Sequence, residues 1–280
     1  MLARLAIILY TAFMETQEVK ENTTKTDPEM KIMLEAGVHF GHKKARQNPK
    51  MSQYIFGVRN SISIIDLEKT RDMLSVAVEY MSSAVNNGKI ILFVDTKPAT
   101  REDTRAVAVE LGMPYVTERW PGGTLTNWKT ITDRIEYLKD LEAGRKSEEW
   151  GKYTKKERSG KEEEIVKLNM LWGGIKDMSK LPDILFVVDI IKNEIAVREA
   201  NIKDIPIVAI VDTNVDPTVI SYPIPANDDA ISSVKYVLSH LRDAIIKGKP
   251  RRKAGVTTRL AETPAKRAEA SGKSKKTAKK

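Results

Sequence analysis

The side chains able to do chemistry are few, and their types narrow the options. The chain has three histidines (His39, His42 and His240) and no cysteine, which excludes thiol catalysis, disulfide scaffolds and cysteine-ligated zinc or iron–sulfur centres. One grouping could hold a cation. His42 lies in the turn His39-Phe40-Gly41-His42, Asp212 ends an apolar run, and Asp228 and Asp229 stand side by side. One imidazole with carboxylates suits a single zinc or magnesium ion. Asp228 and Asp229 also read as the acidic opening of a helix, and both readings stand.

Phosphate recognition has candidates of two kinds. Residues 39–60 carry Lys43, Lys44, Arg46, Lys50 and Arg59 with no acidic residue, interleaved with Asn48, Tyr54, Phe56 and Asn60. Such a run either contacts a phosphate backbone or forms a solvated loop. A nucleotide-binding enzyme is the rival class, with Asp95 and Asp212 as its catalytic carboxylates. It needs a glycine-rich loop between strand and helix, and neither G-x-G-x-x-G nor G-x-x-x-x-G-K-[ST] occurs. The first strand runs instead into Asp95-Thr96-Lys97-Pro98, where proline removes a backbone donor that a phosphate would use. There is no G-x-S-x-G elbow either.

The elements that must position these residues follow a repeated grammar. Apolar runs at residues 89–95, 184–189 and 205–212 each end in Asp. Helical patterns follow the first two, at residues 98–111 and 193–200. Shorter strands are expected at 115–116 and 219–222. Continuous Ile/Val/Leu runs without alternation mean strands covered on both faces, hence a parallel sheet between helices. The expected architecture is a five-stranded doubly wound α/β domain, framed by helices at 66–87 and 227–247, with a short hairpin turning at 59–61. Residues 126–178 break the pattern. Trp128, Ile131, Ile135, Leu138 and Leu141, then Ile165, Leu168, Leu171, Trp172 and Ile175, recur at helical spacing around a hydrophilic stretch at 143–160. They predict two helices inserted between the second and third strands as a hairpin, which either reaches toward a partner or packs on its own sheet.

The formal net charge of the 280 residues is +9, yet thirteen basic and two acidic residues fall within 247–280. The remaining 246 residues hold 34 basic and 36 acidic side chains, so the excess belongs to the end of the chain. That tail has too few large apolar side chains to offset its ordering entropy and is expected to be disordered. It is either a polybasic arm on nucleic acid or a solubilising extension. At the other end, residues 1–14 contain the apolar run Leu5–Leu9, too short for a secretion signal core and lacking a small-x-small cleavage site. Met14 is the expected working initiator, and residues 1–28 are expected to be a disordered extension. No window reaches 18 apolar residues, and a cytoplasmic protein is expected.

The domain reading is therefore an α/β domain of residues 29–125 and 179–247, the hairpin at 126–178, and a basic tail at 248–280. Its motifs carry a resemblance. Ala36-Gly37-Val38-His39-Phe40-Gly41-His42, Asn48-Pro49-Lys50-Met51, Ile55-Phe56-Gly57-Val58-Arg59-Asn60 and Ile64-Ile65-Asp66-Leu67-Glu68-Lys69-Thr70 resemble the bacterial ribosomal protein S2 family. So do Arg119-Trp120, Gly122-Gly123-Thr124-Leu125-Thr126-Asn127-Trp128, Gly173-Gly174-Ile175-Lys176-Asp177-Met178, Leu181-Pro182-Asp183, Val211-Asp212-Thr213-Asn214 and Asn227-Asp228-Asp229-Ala230-Ile231, in the family's order. Pro121 and Trp172 stand where the family usually has Leu.

The resemblance implies a flavodoxin-like α/β domain with a protruding, coiled-coil-like helical hairpin. It implies a non-catalytic constituent of the small (30S) ribosomal subunit that binds 16S rRNA and neighbouring ribosomal proteins, among them the large mRNA-binding ribosomal protein S1. It implies no membrane, no small-molecule substrate and no required cofactor; where a zinc or magnesium ion is seen in the family, its ligands match His42, Asp212, Asp228 and Asp229. The residues expected on rRNA are Lys43, Lys44, Arg46, Lys50 and Arg59, Arg119 beside the double glycine, and Lys152, Lys155 and Lys156 of the hairpin.

Overall fold

The computed structural model describes residues 28–248. The expected extension and tail lie outside the described residues, apart from Pro28 and Gly248, which belong to helices. The chain opens with α1 (Pro28–Glu35), then β1 (Phe40–Lys43), β2 (Ile55–Arg59) and β3 (Ile62–Ile65), which form an antiparallel sheet with β3 in the centre. The expected hairpin is β2–β3. Its turn residues Asn60 and Ser61 both have positive φ, 50° and 63°, the conformation a tight two-residue turn between right-twisted strands requires. β1 has no period-2 apolar pattern, and sequence reasoning missed it.

Asp66 caps α2 (Leu67–Asn86), its side chain accepting from the backbone of Glu68. There follow β4 (Ile91–Val94), α3 (Arg101–Leu111), β5 (Tyr115–Val116), α4 (Trp128–Arg145), α5 (Lys155–Trp172), β6 (Ile184–Val187), α6 (Glu194–Ile202), β7 (Ile207–Val211), β8 (Tyr222–Pro225) and α7 (Ile231–Gly248). The second sheet is parallel throughout, in the order β5-β4-β6-β7-β8. This is the five-stranded doubly wound arrangement expected, with strand order reversing beside β4.

Why the strands read as unbroken apolar runs is visible in their burial. Ile91, Phe93, Ile184, Phe186, Val208 and Ile210 face one core, shared with α2, α3 and α7, while Leu92, Val94, Leu185, Val187, Ile207, Ala209 and Val211 face a second core under α6 and the bases of α4 and α5. Side chains alternate between faces, but both faces are dry. Phe93 and Phe186 pair across the central strands with ring centroids 5.3 Å apart, each burial contributing roughly 2–3 kcal/mol.

Three expected boundaries are corrected. The strand expected at 219–222 lies at Tyr222–Pro225, and Pro217–Val219 is a turn of 3-10 helix. The prolines at 223 and 225 hid a strand that tolerates them because it is the sheet's edge. The helix expected from 98 begins at Arg101, and the one expected from 227 begins at Ile231. In both cases the preceding residues are diverted into side-chain contacts at the sheet's carboxyl edge. The strands expected at 89–95, 184–189 and 205–212 are each shorter, at Ile91–Val94, Ile184–Val187 and Ile207–Val211.

α4 and α5 carry the two predicted stripes. Ile131 and Ile135 join the core beneath the sheet with Trp128, Trp172 and Ile175, whereas Leu138, Leu141 and Ile165 form a small core of their own with Leu168 and Trp150. The helices are further tied by Glu142, which accepts from Asn169 and Lys176 at 2.8 and 3.0 Å.

The turn that leads into this pair is fixed by one buried carboxylate. Glu199 of α6 accepts from Trp120 Nε1 (3.1 Å), Gly123 N (2.8 Å), Leu125 N (2.9 Å), Thr126 N (3.1 Å) and Thr126 Oγ1 (3.1 Å). Burial pushes this carboxyl up, but its donors outweigh burial and hold it below the usual range. A depressed folded value means stabilisation that is present above the unfolded value of about 4.3 and lost as pH falls through the folded one. Glu199→Gln turns an amide N–H₂ onto backbone donors. It should cost on the order of 2–4 kcal/mol at neutral pH and lower Tm by roughly 5–10 °C. The gap to wild type should narrow in acid melts; a gap that widens would refute the assignment.

β1 is pinned with equal economy. A Cβ on Gly41 would stand 2.4 Å from Thr213 Cγ2 and 2.9 Å from the backbone O of Ser63, so only glycine lets this strand close on the loop after β7. Gly41→Ala should destabilise by about 1–3 kcal/mol through overpacking, measured as a lowered Tm.

Candidate functional site

Parallel topology sends every strand's carboxyl end to one edge, and there the sequence places acids. Asp95 follows β4, Asp189 lies two residues beyond β6, Asp212 follows β7, and Asp228 and Asp229 lie beyond β8. Asp95, Asp189, Asp212 and Asp228 are buried. Lys97 Nζ enters their midst, 2.9 Å from Asp228 O, 3.2 Å from Asp228 Oδ1, 2.5 Å from Asp229 Oδ1 and 3.6 Å from Asp189 Oδ2. Burial pulls the Lys97 ammonium down, but the surrounding carboxylates overcome it and raise its pKa. Asp95 is spoken for: it accepts from Lys97 N at 3.0 Å and Thr104 Oγ1 at 2.8 Å. Burial nevertheless raises its pKa.

His42 reaches the same edge from β1. Its backbone N–H donates to Thr213 Oγ1 at 2.8 Å, while Thr213 N and Oγ1 both donate to Asp212 Oδ1. This leaves Asp212 Oδ2 free to face the imidazole. His42 Nδ1 lies 3.1 Å from Asp212 Oδ2 and His42 Nε2 lies 3.4 Å from Asp229 Oδ2. His42 Nδ1 and Asp212 Oδ2 are nonetheless buried without a well-directed hydrogen bond. The attraction of Asp212, opposed by burial, raises the imidazole pKa. Two close, misdirected lone-pair carriers fit ligands aimed at a common third point better than a hydrogen-bonded pair. One ligand atom each from His42, Asp212 and Asp229 lies within 4.8 Å of the others, a spacing a single divalent cation can bridge.

Of the four expected metal ligands, the structure brings these three together and turns the fourth aside. Asp228 is drawn to Lys97, and burial, with Asp212 and Asp189 adding repulsion, pushes its carboxyl up to about 7. Nor do Asp228 and Asp229 cap α7. Asn227 organises that turn, its Oδ1 accepting from Asp229 N and Ala230 N at 2.9 and 3.2 Å, and its Nδ2 donating to Gly37 O at 3.2 Å.

The expected rRNA contacts fall into separate groups. Lys43, Lys44, Arg46 and Arg59 are exposed. Ile62 pairs with Lys43 on one side and Arg59 on the other, and Lys44 N donates to Ser61 O at 2.9 Å, so Lys43, Arg59 and Lys44 share one end of the antiparallel sheet, and Arg46 follows two residues on. None of the four forms an ion pair with another described residue. Lys50 differs, donating to Asp216 Oδ2 at 2.7 Å and Thr218 Oγ1 at 3.1 Å; it fastens the segment after β1 to the loop after β7. Arg119 is exposed on the turn that Glu199 holds. Lys152, Lys155 and Lys156 are exposed around the link from α4 to α5. Lys155 and Lys156 occupy the first turn of α5, where the helix dipole disfavours cations, so their charge does not serve the helix.

Sequence reasoning missed Lys97, Glu199, Thr213 and the organising role of Asn227. Lys97 carried a signal, being a lysine two residues after a strand-ending Asp. Glu199 carried none, because an acid within a helix is ordinary.

Among the described residues no helix is long and apolar enough to cross a membrane. The family model for ribosomal protein S2 matches residues 33–248. Curated proteins named small ribosomal subunit protein uS2 are similar over most of the chain. That of Coprothermobacter proteolyticus is 47% identical over 229 residues, 82% of this chain and 85% of the relative. That of Roseiflexus sp. is 48% identical over 225 residues, 80% and 86% respectively. That of Dictyoglomus thermophilum is 48% identical over 220 residues, 79% and 89%. The match spans both sheets, all the expected ligands and the inserted helices, and the chain belongs to the ribosomal protein S2 family.

Proposed function

We propose that this chain works as a structural constituent of the small ribosomal subunit, in the bacterial cytoplasm, and that it binds 16S rRNA through phosphate contacts. Proteins of this family are structural and non-enzymatic, which sets aside the nucleotide-binding enzyme. Asp95 is engaged by Thr104 and the Lys97 backbone, which suits a structural role. The observation that carries the RNA reading is the group Lys43, Lys44, Arg46 and Arg59, exposed together and without acid partners among the described residues. Such cations gain free energy by releasing counterions from the RNA, and they read its shape more than its base sequence. Arg119, Lys152, Lys155 and Lys156 extend the contact surface, the tail adds a salt-sensitive grip, and Lys50 contributes by holding its loop.

Protein neighbours, ribosomal protein S1 among them, would meet apolar surface. Phe56 is 80% exposed. With Leu34, Phe40 and Val58 it borders a groove of about 600 Å³.

His42, Asp212 and Asp229 would hold one divalent cation, with Asp228 behind them on Lys97. The ion would neutralise the carboxylates and lock β1 to the loop after β7, so its role is structural.

The full chain should co-sediment with small subunits in a sucrose gradient; absence from that fraction would end the ribosomal reading. Replacing Lys43, Lys44, Arg46 and Arg59 with Ala should reduce the slope of log K against log salt for rRNA binding by roughly 3. Removal of residues 249–280 should also flatten that slope without abolishing incorporation. Metal analysis should find one ion per chain in the wild type and none in His42→Ala; equal content in both would reject the site.

A further inference from the structure

We propose that Lys97 is a tethered cation that fills the second half of a two-cation centre, so that the sheet-edge carboxylates hold one metal ion and not two. This rests on the reading of His42, Asp212 and Asp229 as ligands of that ion. Lys97 belongs neither to the RNA-facing group nor to the ligand set, yet its side chain is 11% exposed and ends inside the acidic cluster.

Its surroundings resemble a coordination shell. Four oxygens from three residues approach Nζ: Asp229 Oδ1 at 2.5 Å, Asp228 O at 2.9 Å, Asp228 Oδ1 at 3.2 Å and Asp189 Oδ2 at 3.6 Å. Carboxylates combined with a backbone carbonyl are the donor set of a hard divalent cation. An ammonium has three N–H bonds to give; Asp229 Oδ1, Asp228 O and Asp228 Oδ1 take them, and Asp189 Oδ2 at 3.6 Å adds charge without a hydrogen bond. Asp229 is shared between the two halves, with Oδ1 on Lys97 and Oδ2 3.4 Å from His42 Nε2. A carboxylate bridging two cationic centres is the pattern of a paired-metal site, here with one metal replaced by a lysine.

The stem is built to deliver the charge. Asp95 accepts from Lys97 N, and Lys97 O accepts from Thr100 N and Arg101 N at 3.2 and 3.0 Å. A compact point charge on a long stem suits such a shell, whereas a planar guanidinium would not. Without it, Asp189 and Asp228 would be buried with no counter-charge, while Asp229 kept only its His42 side, and buried unpaired carboxylates recruit a cation.

The test counts ions on the full-length chain, stripped with EDTA and dialysed against zinc or manganese, by mass spectrometry of metal per protein. Lys97→Met should bind one more ion per chain than wild type, the gain being clearest with manganese, which favours oxygen donors. Its Tm in EDTA should fall below wild type. Manganese at about a hundredfold over its Kd should raise it by roughly 5–10 °C. Adding Asp228→Asn should abolish the gained ion and restore part of the Tm. An unchanged count in Lys97→Met overturns the proposal. If that variant is unfolded in EDTA, refolding in manganese with the extra ion supports the proposal, and failure to refold in manganese overturns it. The wild-type count is a separate readout. Zero ions there would reject the His42 site, while a gain of one in Lys97→Met would still mark Lys97 as a cation surrogate.

Discussion

The structure depends on how it offsets the repulsion that its own topology creates. Parallel strands all point the same way, so the acids that terminate them arrive together: Asp95, Asp189, Asp212, Asp228 and Asp229 share one edge, four of them buried. Carboxylates a few ångströms apart in low dielectric cannot all remain charged unless cations answer them. The fold supplies Lys97 from the β4–α3 turn and His42 from β1. Everything unusual nearby follows from accommodating these two side chains. α3 starts three residues late because residues 97–100 form the turn that holds the Lys97 stem. Gly41 is bare because β1 must approach Thr213 closely enough to bring His42 to Asp212.

The same arrangement links the protein's two sheets and so joins its acidic edge to its basic surface. β1 contributes His42 to the parallel sheet's edge and, one residue later, Lys43 to the exposed cationic group. The register of β1 shifts between Phe40 and Lys43, and across that irregularity a four-residue strand sets a half-buried imidazole beside carboxylates and an exposed ammonium toward solvent. A nearly neutral body can thus bind a polyanion. Its five strand-end acids are gathered where cations already answer them, and Lys43, Lys44, Arg46 and Arg59 stand exposed away from them. The net charge of +9 conceals this division, since the surplus lies in residues 247–280.

How much was legible in the sequence follows from the range of the interactions. Both-sided burial writes itself as continuous apolar runs, so Ile91–Val94, Ile184–Val187 and Ile207–Val211 could be read directly. The Asn60-Ser61 turn and the stripes of α4 and α5 are equally local. β8 was misplaced because its prolines argue against a strand anywhere but at an edge, and edge position is a tertiary fact. Of the candidate site, the strand-end acids Asp212, Asp228 and Asp229 and the His42 turn could be read as sharing one edge, and the structure sets His42, Asp212 and Asp229 close together there. Asp228 has the same chemistry but a different partner, 131 residues away in Lys97. No spacing rule encodes that contact. Glu199 is harder still, because its five donors lie more than seventy residues upstream and four come from the backbone or an indole.

Glu199 and Lys97 are complementary solutions to one problem. Each is a buried charge that organises a segment without regular structure, the first through donors gathered around a carboxylate, the second through carboxylates gathered around an ammonium. A buried ion with fully satisfied partners adds little net stability over an apolar replacement of equal shape, but removing one partner is costly. Such groups therefore act less as glue than as selectors of conformation. The turn at residues 119–128 fixes where α4 departs from the sheet, and the turn at 95–100 fixes where the acidic edge is neutralised. The position of those two turns sets what surface the protein presents, and it is fixed by buried charge together with the core, into which Trp120 and Leu125 of the first turn also pack.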